Sequence, residues 1–307
     1  MTKRDYLTVT DFTKKETLEL IDEAIKLKHE RKSGVNHNDL AGKTLGMIFE
    51  KSSTRTRVSF EAGMMQLGGH ALFLSHRDIQ LGRGESIHDT ANVLSRYVDG
   101  LMIRTFAHSG IEEFAQYAEV PIINGLTDEH HPCQVLADLM TIREEKGDLT
   151  GLTMCFIGDG YNNMTHSLME GAALMGMNMH VASPEGYEPS ADITNKVHSL
   201  HETNGGSFQF SHDPAAAIAD ADVILTDVWA SMGNETEEAE RMEKFADYQV
   251  NGALVSSAAP NYMFLHCLPA HRGEEVSASI IDGPRSFVFE EAENRMHAQK
   301  ALLKKLL

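Results

Sequence analysis

Short apolar runs, each followed by a longer amphipathic stretch, recur down the whole chain. Leu45 to Phe49, Ala71 to Leu74, Leu101 to Ile103 and Val120 to Ile123 form one series. Leu152 to Ile157, Met177 to Ala182, Phe208 to Phe210, Val223 to Leu225 and Met263 to Cys267 form a second. Such runs read as strands, and gaps long enough for crossover helices make neighbouring strands parallel. The chain is thereby restricted to the α/β class. With 307 residues it is about twice a typical domain length, so the two series predict two domains, each a parallel sheet flanked by helices. A helix predicted over Gln134 to Lys146 falls between the series, and another over Glu291 to Leu306 ends the chain. The expected division is a first domain over 1–147, completed by the terminal helix 291–307, and a second over 148–290.

No apolar window approaches the roughly 18 residues of a membrane span, and the opening Met-Thr-Lys-Arg lacks the apolar core of a secretory signal. A cytoplasmic protein with no membrane partner is expected. Cys133, Cys155 and Cys267 cannot all pair within the chain and read as reduced thiols. The net charge of −18 argues against nucleic acid as a partner. That charge is uneven. From Lys43 to Arg104, eight Lys and Arg face six Asp and Glu, which leaves the excess acid to the rest of the chain. The acidic run from Glu235 to Asp247, with Arg241 and Lys244 in it, reads as a solvated helix face.

The cationic stretch contains the most informative segment. Directly after the first strand comes Glu50-Lys51-Ser52-Ser53-Thr54-Arg55-Thr56-Arg57, which opens a helical pattern. Free N–H groups at a helix start, the positive end of the helix dipole, three hydroxyls and a planar guanidinium all favour an anion. The spacing is not that of a phosphate loop that binds nucleotides, so nucleotide hydrolysis is not implied.

Ser53-Thr54-Arg55-Thr56-Arg57 resembles the carbamoyl phosphate signature of the aspartate/ornithine transcarbamoylase family, and further motifs match in family order along nearly the whole chain. They are Gln80 in Ile79-Gln80-Leu81-Gly82, Arg104 in Met102-Ile103-Arg104-Thr105, His131-Pro132-Cys133-Gln134, Asp227 with Ser231-Met232-Gly233, His266-Cys267-Leu268-Pro269, and Arg295. The last three positions before Arg295, Ala292-Glu293-Asn294, belong to the same match. The Ser-Met-Gly and His-Cys-Leu-Pro segments look like the ornithine-specific branch rather than the aspartate-specific one.

The resemblance implies that Ser53, Thr54, Arg55, Thr56, Gln80, Arg104, His131, Gln134, Cys267, Leu268 and Arg295 bind carbamoyl phosphate. It implies that Asn163, Asp227, Ser231 and Met232 bind ornithine, with the adjacent Asn162 as the other choice for the head group. Arg104, His131 and Cys267 are the implied catalytic residues. The implied reaction is attack of the ornithine δ-amine on the carbamoyl carbon, giving citrulline and phosphate, with putrescine or acetylornithine as alternative amines. No cofactor or metal is implied. In the family Gln80 comes from a neighbouring subunit, Leu268-Pro269 is a cis bond, and the assembly is a trimer or a multiple of trimers.

The residues themselves suit these roles. Attack on a carbonyl creates an oxyanion, so donors such as Arg104, Thr56 and His131 stabilise the transition state more than the ground state. Rival readings rest on weaker patterns. Gly158-Asp159-Gly160 follows a strand, but Asn163 stands where a dinucleotide fingerprint has its third glycine. His130, His131 and Cys133, or His266, Cys267 and His271, offer metal-ligand types without regular ligand spacing. A non-enzymatic anion-binding module is the remaining class, and any turnover would exclude it.

Overall fold

The computed structural model describes residues 3–81, 84–230 and 238–307. The first half runs α1 (Lys14–Lys32), β1 (Thr44–Phe49), α2 (Thr54–Gln66), β2 (His70–Ser75), α3 (Ile87–Leu94), β3 (Gly100–Arg104), α4 (His108–Tyr117), β4 (Ile122–Leu126) and α5 (Pro132–Lys146). The second runs β5 (Thr153–Ile157), α6 (Asn163–Met175), β6 (Asn178–Ala182), α7 (Ala191–Asn204), β7 (Ser207–Ser211), α8 (Pro214–Ala217), β8 (Val223–Leu225), α9 (Glu238–Lys244), β9 (Met263–Leu265), α10 (Ala278–Ile281) and α11 (Val288–Leu306). The chain divides into two compact units, Met1–Met140 with Glu293–Leu307, and Thr141–Ala292.

In the first unit four parallel strands lie in the order β2-β1-β3-β4. β1 and β3 are almost wholly buried apolar runs, which is what a strand covered on both faces requires. The strand order reverses between β1 and β3, so the chain leaves their carboxyl ends in opposite directions and opens a crevice there. The register sets Arg104, the last residue of β3, beside Phe49, the last of β1. β4 departs from the apolar run that announces it. Pro121 has no N–H to give, so pairing starts at Ile122, and it continues through Asn124 and Gly125, which interrupt the apolar pattern.

The second unit is a five-stranded parallel sheet in the order β7-β6-β5-β8-β9. Its reversal falls between β5 and β8. β9 stops at Leu265, two residues short of the apolar run, because His266 N donates to the Glu291 carboxylate at 2.8 Å rather than to a strand. α6 starts where the Asn162 side chain accepts from Thr165 N and ends at Gly176, whose φ of 73° is left-handed. Of the acidic run, Glu235 and Glu237 lie outside the described residues, and Glu240, Glu243 and Asp247 are exposed as a solvated face requires, but Arg241 departs from it. Arg241 of α9 is buried and donates to Asp159 Oδ2 at 2.6 Å and to the Trp229 carbonyl at 2.9 Å. Charge alone misjudged it, because a fork with several donors can satisfy a buried acid and a carbonyl at once.

Candidate active site

In the first unit the site is built at the carboxyl ends of β1 and β3. Ser53 caps α2, its hydroxyl accepting from Thr56 N at 3.2 Å and donating to Thr56 Oγ1 at 3.0 Å. The serine thus turns the chain into the helix and orders the donors of its first turn. Thr56 is fully buried, Arg55 half-buried and Thr54 exposed. Ser53 and Thr54 also line a cavity of ≈ 240 Å³ with Ser52, Arg57, His76 and Arg77.

Arg295, near the middle of α11, joins three other predicted residues. Its Nη2 donates to Thr56 Oγ1 at 2.7 Å and to His131 Nε2 at 3.2 Å, and its Nη1 donates to Gln134 Oε1 at 3.0 Å. An arginine has no lone pair to offer, so His131 Nε2 must accept and Nδ1 must carry the proton. Burial, together with the charges of Arg295, Arg104 and Arg55, holds the His131 pKa well below the usual imidazole range. These three arginines therefore surround a neutral histidine. Thr56, Arg104, His131, Gln134 and Arg295 are all buried. Gln134, at the start of the helix predicted over Gln134 to Lys146, is buried. In the structure its Nε2 donates to Asp138 Oδ1 at 2.8 Å, one helical turn away. Gln80 is exposed, in the stretch that follows β2.

Cys267 and Leu268 fall in the second unit. There, at the carboxyl ends of β8 and β9, Cys267 Sγ donates to Asp227 Oδ1 at 3.3 Å. Asp227 also accepts from Val228 N at 2.8 Å. Burial pushes the Asp227 carboxyl up from its ordinary value. His266 is fully enclosed: its Nδ1 accepts from Leu268 N at 2.9 Å, and its Nε2 lies 3.2 Å from Glu275 Oε1. Since Nδ1 accepts a backbone proton, Nε2 carries the hydrogen and donates to Glu275. Leu268 has a left-handed φ of 57°, and the Leu268-Pro269 bond is cis. His266 and Glu275 thus hold the backbone on which Cys267 sits, and neither was assigned a role from sequence. A lone glutamate eight residues beyond Cys267 gives no local signal.

At the β5–α6 turn, Asn162 is the helix cap and both Asn162 and Asn163 are half-buried. Ser231 and Met232 lie outside the described residues. Ligand atoms of Asp227, His266 and Cys267 lie within 4.8 Å of one another, as do those of His271, Glu274 and Glu275. Both ring nitrogens of His266 are already engaged, so a cation there would have to displace Leu268 N–H or Glu275. His130, His131 and Cys133 form no such cluster among the described residues. The remaining cysteines are buried thiols, with Cys133 pushed up to about 12 and Cys155 higher still by desolvation.

Among the described residues no helix is long and apolar enough to cross a membrane. Residues 4–144 match the family described as "Aspartate/ornithine carbamoyltransferase, carbamoyl-P binding domain", and residues 150–306 match its "Asp/Orn binding domain". An ornithine carbamoyltransferase of Anoxybacillus flavithermus is 59% identical over 304 residues, covering 99% of this chain and 96% of the relative. That of Bacillus subtilis is 58% identical over 304 residues, covering 99% and 94%. The solved ornithine carbamoyltransferase of Pyrococcus furiosus superposes with a TM-score of 0.96 at 53% identity, covering 100% of this chain and 97% of that one. With both domain families matched in order and full-length relatives above half identity, the chain belongs to the aspartate/ornithine carbamoyltransferase family.

Proposed function

We propose that this enzyme transfers the carbamoyl group of carbamoyl phosphate to the δ-amine of L-ornithine, giving L-citrulline and phosphate. The observation that carries this reading is the buried cationic cluster of Arg295, Thr56, His131 and Gln134 behind the capped start of α2. It suits a phosphorylated, carbonyl-bearing substrate, and the full-length similarity to ornithine carbamoyltransferases supports it. In this reading residues 1–147, completed by 291–307, take carbamoyl phosphate and residues 148–290 take ornithine.

Ser53, Thr54, Arg55 and Thr56 hold the phosphate. Arg104, with Thr56 and neutral His131, faces the carbonyl oxygen, where negative charge grows during attack. The N–C bond forms, the C–O bond to phosphate breaks, and the amine gives up a proton. Phosphate departs as the anion that the arginines already accommodate. Asp227 receives the α-ammonium of ornithine, with Asn163, Ser231 and Met232 completing the head-group contacts. The δ-amine must be neutral to attack. For an alkyl amine of pKa about 10.4, deprotonation at pH 7 costs about 4.6 kcal/mol, at about 1.36 kcal/mol per unit. Cys267 is the thiol proposed to orient that nitrogen or receive its proton, with Leu268 beside it.

Gln80 serves the site of a neighbouring subunit in a homotrimer, which accounts for an exposed amide with no role in its own chain's cluster. The reduced cysteines fit a cytoplasmic enzyme of arginine metabolism. Initial rates with ornithine, putrescine and acetylornithine test the amine: ornithine is expected to react fastest, and faster turnover of either competitor overturns the assignment. Sedimentation of a fully active monomer overturns the trimer.

A further inference from the structure

Gln134 is held between a guanidinium and a buried carboxyl group. Its Oε1 accepts from Arg295 Nη1 at 3.0 Å, and its Nε2 donates to Asp138 Oδ1 at 2.8 Å. A guanidinium can only donate, so the amide oxygen faces Arg295 and the NH2 group is left to donate to Asp138. Both Gln134 and Asp138 lie on α5 four positions apart, where the helical repeat stacks their side chains on one face. Asp138 is fully buried, and the reaction as described leaves it without a role.

We propose that Asp138 is a positioning residue that sets the selectivity for a carbamoyl over an acyl phosphate. By holding the amide NH2 of Gln134, it fixes the side chain whose oxygen meets Arg295 and, in the proposed reading, the amino group of the substrate. A methyl group in place of that amino group would leave the oxygen without this second donor and would meet a polar wall. The inference rests on the carbamoyl phosphate reading of the pocket.

The test compares two competitive inhibitors that differ only at this point, phosphonoacetamide with a terminal NH2 and acetonylphosphonate with a terminal CH3. Wild-type enzyme is expected to favour the amide roughly tenfold, which corresponds to about 1.4 kcal/mol, the size of one net hydrogen bond. Asp138→Leu should bring the two inhibition constants together, whereas Asp138→Asn, which keeps an acceptor oxygen, should retain most of the preference. Should the leucine variant fail to fold, Asp138→Ser, a smaller polar variant that withdraws the carboxyl from Gln134, decides by the same ratio. A folded Asp138→Leu or Asp138→Ser enzyme with the wild-type ratio overturns the role of Asp138. A wild-type enzyme that binds both phosphonates equally overturns the carbamoyl phosphate reading itself, and this proposal with it.

Discussion

Arg295 Nη2 lies 2.7 Å from Thr56 Oγ1, although 239 positions separate the two residues in the chain. The last helix therefore delivers a guanidinium to the first turn of α2, where capped N–H groups already gather positive potential. Arg104 and Arg55 add to that field, as the depressed pKa of His131 records. A field of this sign suits the anionic substrate proposed for the site.

Replacing Arg295 by Gln keeps a polar side chain but removes the charge and the fork. Each charge-assisted hydrogen bond is worth about 1.5–3 kcal/mol, so binding of carbamoyl phosphate should weaken by roughly ten- to a hundredfold. Titration calorimetry with phosphonoacetamide reads this directly. Because the mutation also relieves repulsion, Tm should hold or rise. A fall in Tm together with affinity would mean that Arg295 is mainly structural.

His131 should stay neutral across the working range, since burial and three arginines all disfavour its charged form. It serves as a hydrogen-bonding group, with Nε2 accepting from Arg295 in the free enzyme. The profile of kcat/KM for carbamoyl phosphate should therefore show no limb from this residue between about pH 6 and 8, around the ordinary imidazole value. An acid limb in that interval that disappears in His131→Asn would contradict the assignment.

What the sequence displays depends on whether the determining contacts are local. Buried parallel strands announce themselves because both faces must be apolar, and so the runs around β1, β3, β5 and β8 were legible almost to the residue. β4 was not, since Pro121 shifts the start of pairing and Asn124 and Gly125 blur the run. At the site, Ser53 to Thr56 are contiguous and readable as an anion-binding helix start. Arg295 lies 239 positions from Thr56 and 164 from His131, so nothing local to it announces the cluster that it joins. The burial of Asp138 beneath Gln134, and of Glu275 beneath His266, depends on how distant segments pack. Arg241 was hidden by its acidic neighbours for the same reason.

His297 offers a stability measurement independent of activity. It is buried on α11, and its pKa is lowered to about 4 by desolvation and by Lys300, Lys28 and Lys32, with Glu293 opposing. The unfolded chain takes up this proton near pH 6.5, whereas the folded protein resists until about pH 4. Between those values the unfolded state binds more protons, so stability falls as pH falls. The contribution is fully present above about pH 6.5. Urea midpoints measured at pH 7, 6 and 5 should decline, and His297→Gln should flatten the decline by up to one proton. An unchanged slope in the variant would show that His297 titrates as it does in the unfolded chain.

Ornithine turnover should report the two ends of the amine separately. If the δ-amine reacts neutral, kcat/KM for ornithine rises from pH 7 towards 9 by nearly tenfold per unit, because the alkyl amine pKa is about 10.4. A flat profile refutes amine deprotonation as a requirement. In the proposed reading the α-ammonium meets Asp227, which has to be ionised to receive it. Burial raises the Asp227 pKa above its ordinary value, so the acid loss of ornithine binding should begin above the range of an exposed aspartate, near 3.9. Asp227→Asn removes the charge while keeping an oxygen that can accept from Cys267 and Val228. Breaking a buried charge pair costs about 2–5 kcal/mol, so KM for ornithine should climb at least roughly thirtyfold, while binding of phosphonoacetamide holds. Cys267→Ser, which retains a donor to Asp227 but has a hydroxyl of far higher pKa, should spare KM and lower kcat. Equal losses in kcat from the two variants, with KM unmoved in both, would contradict the division of labour between Asp227 and Cys267.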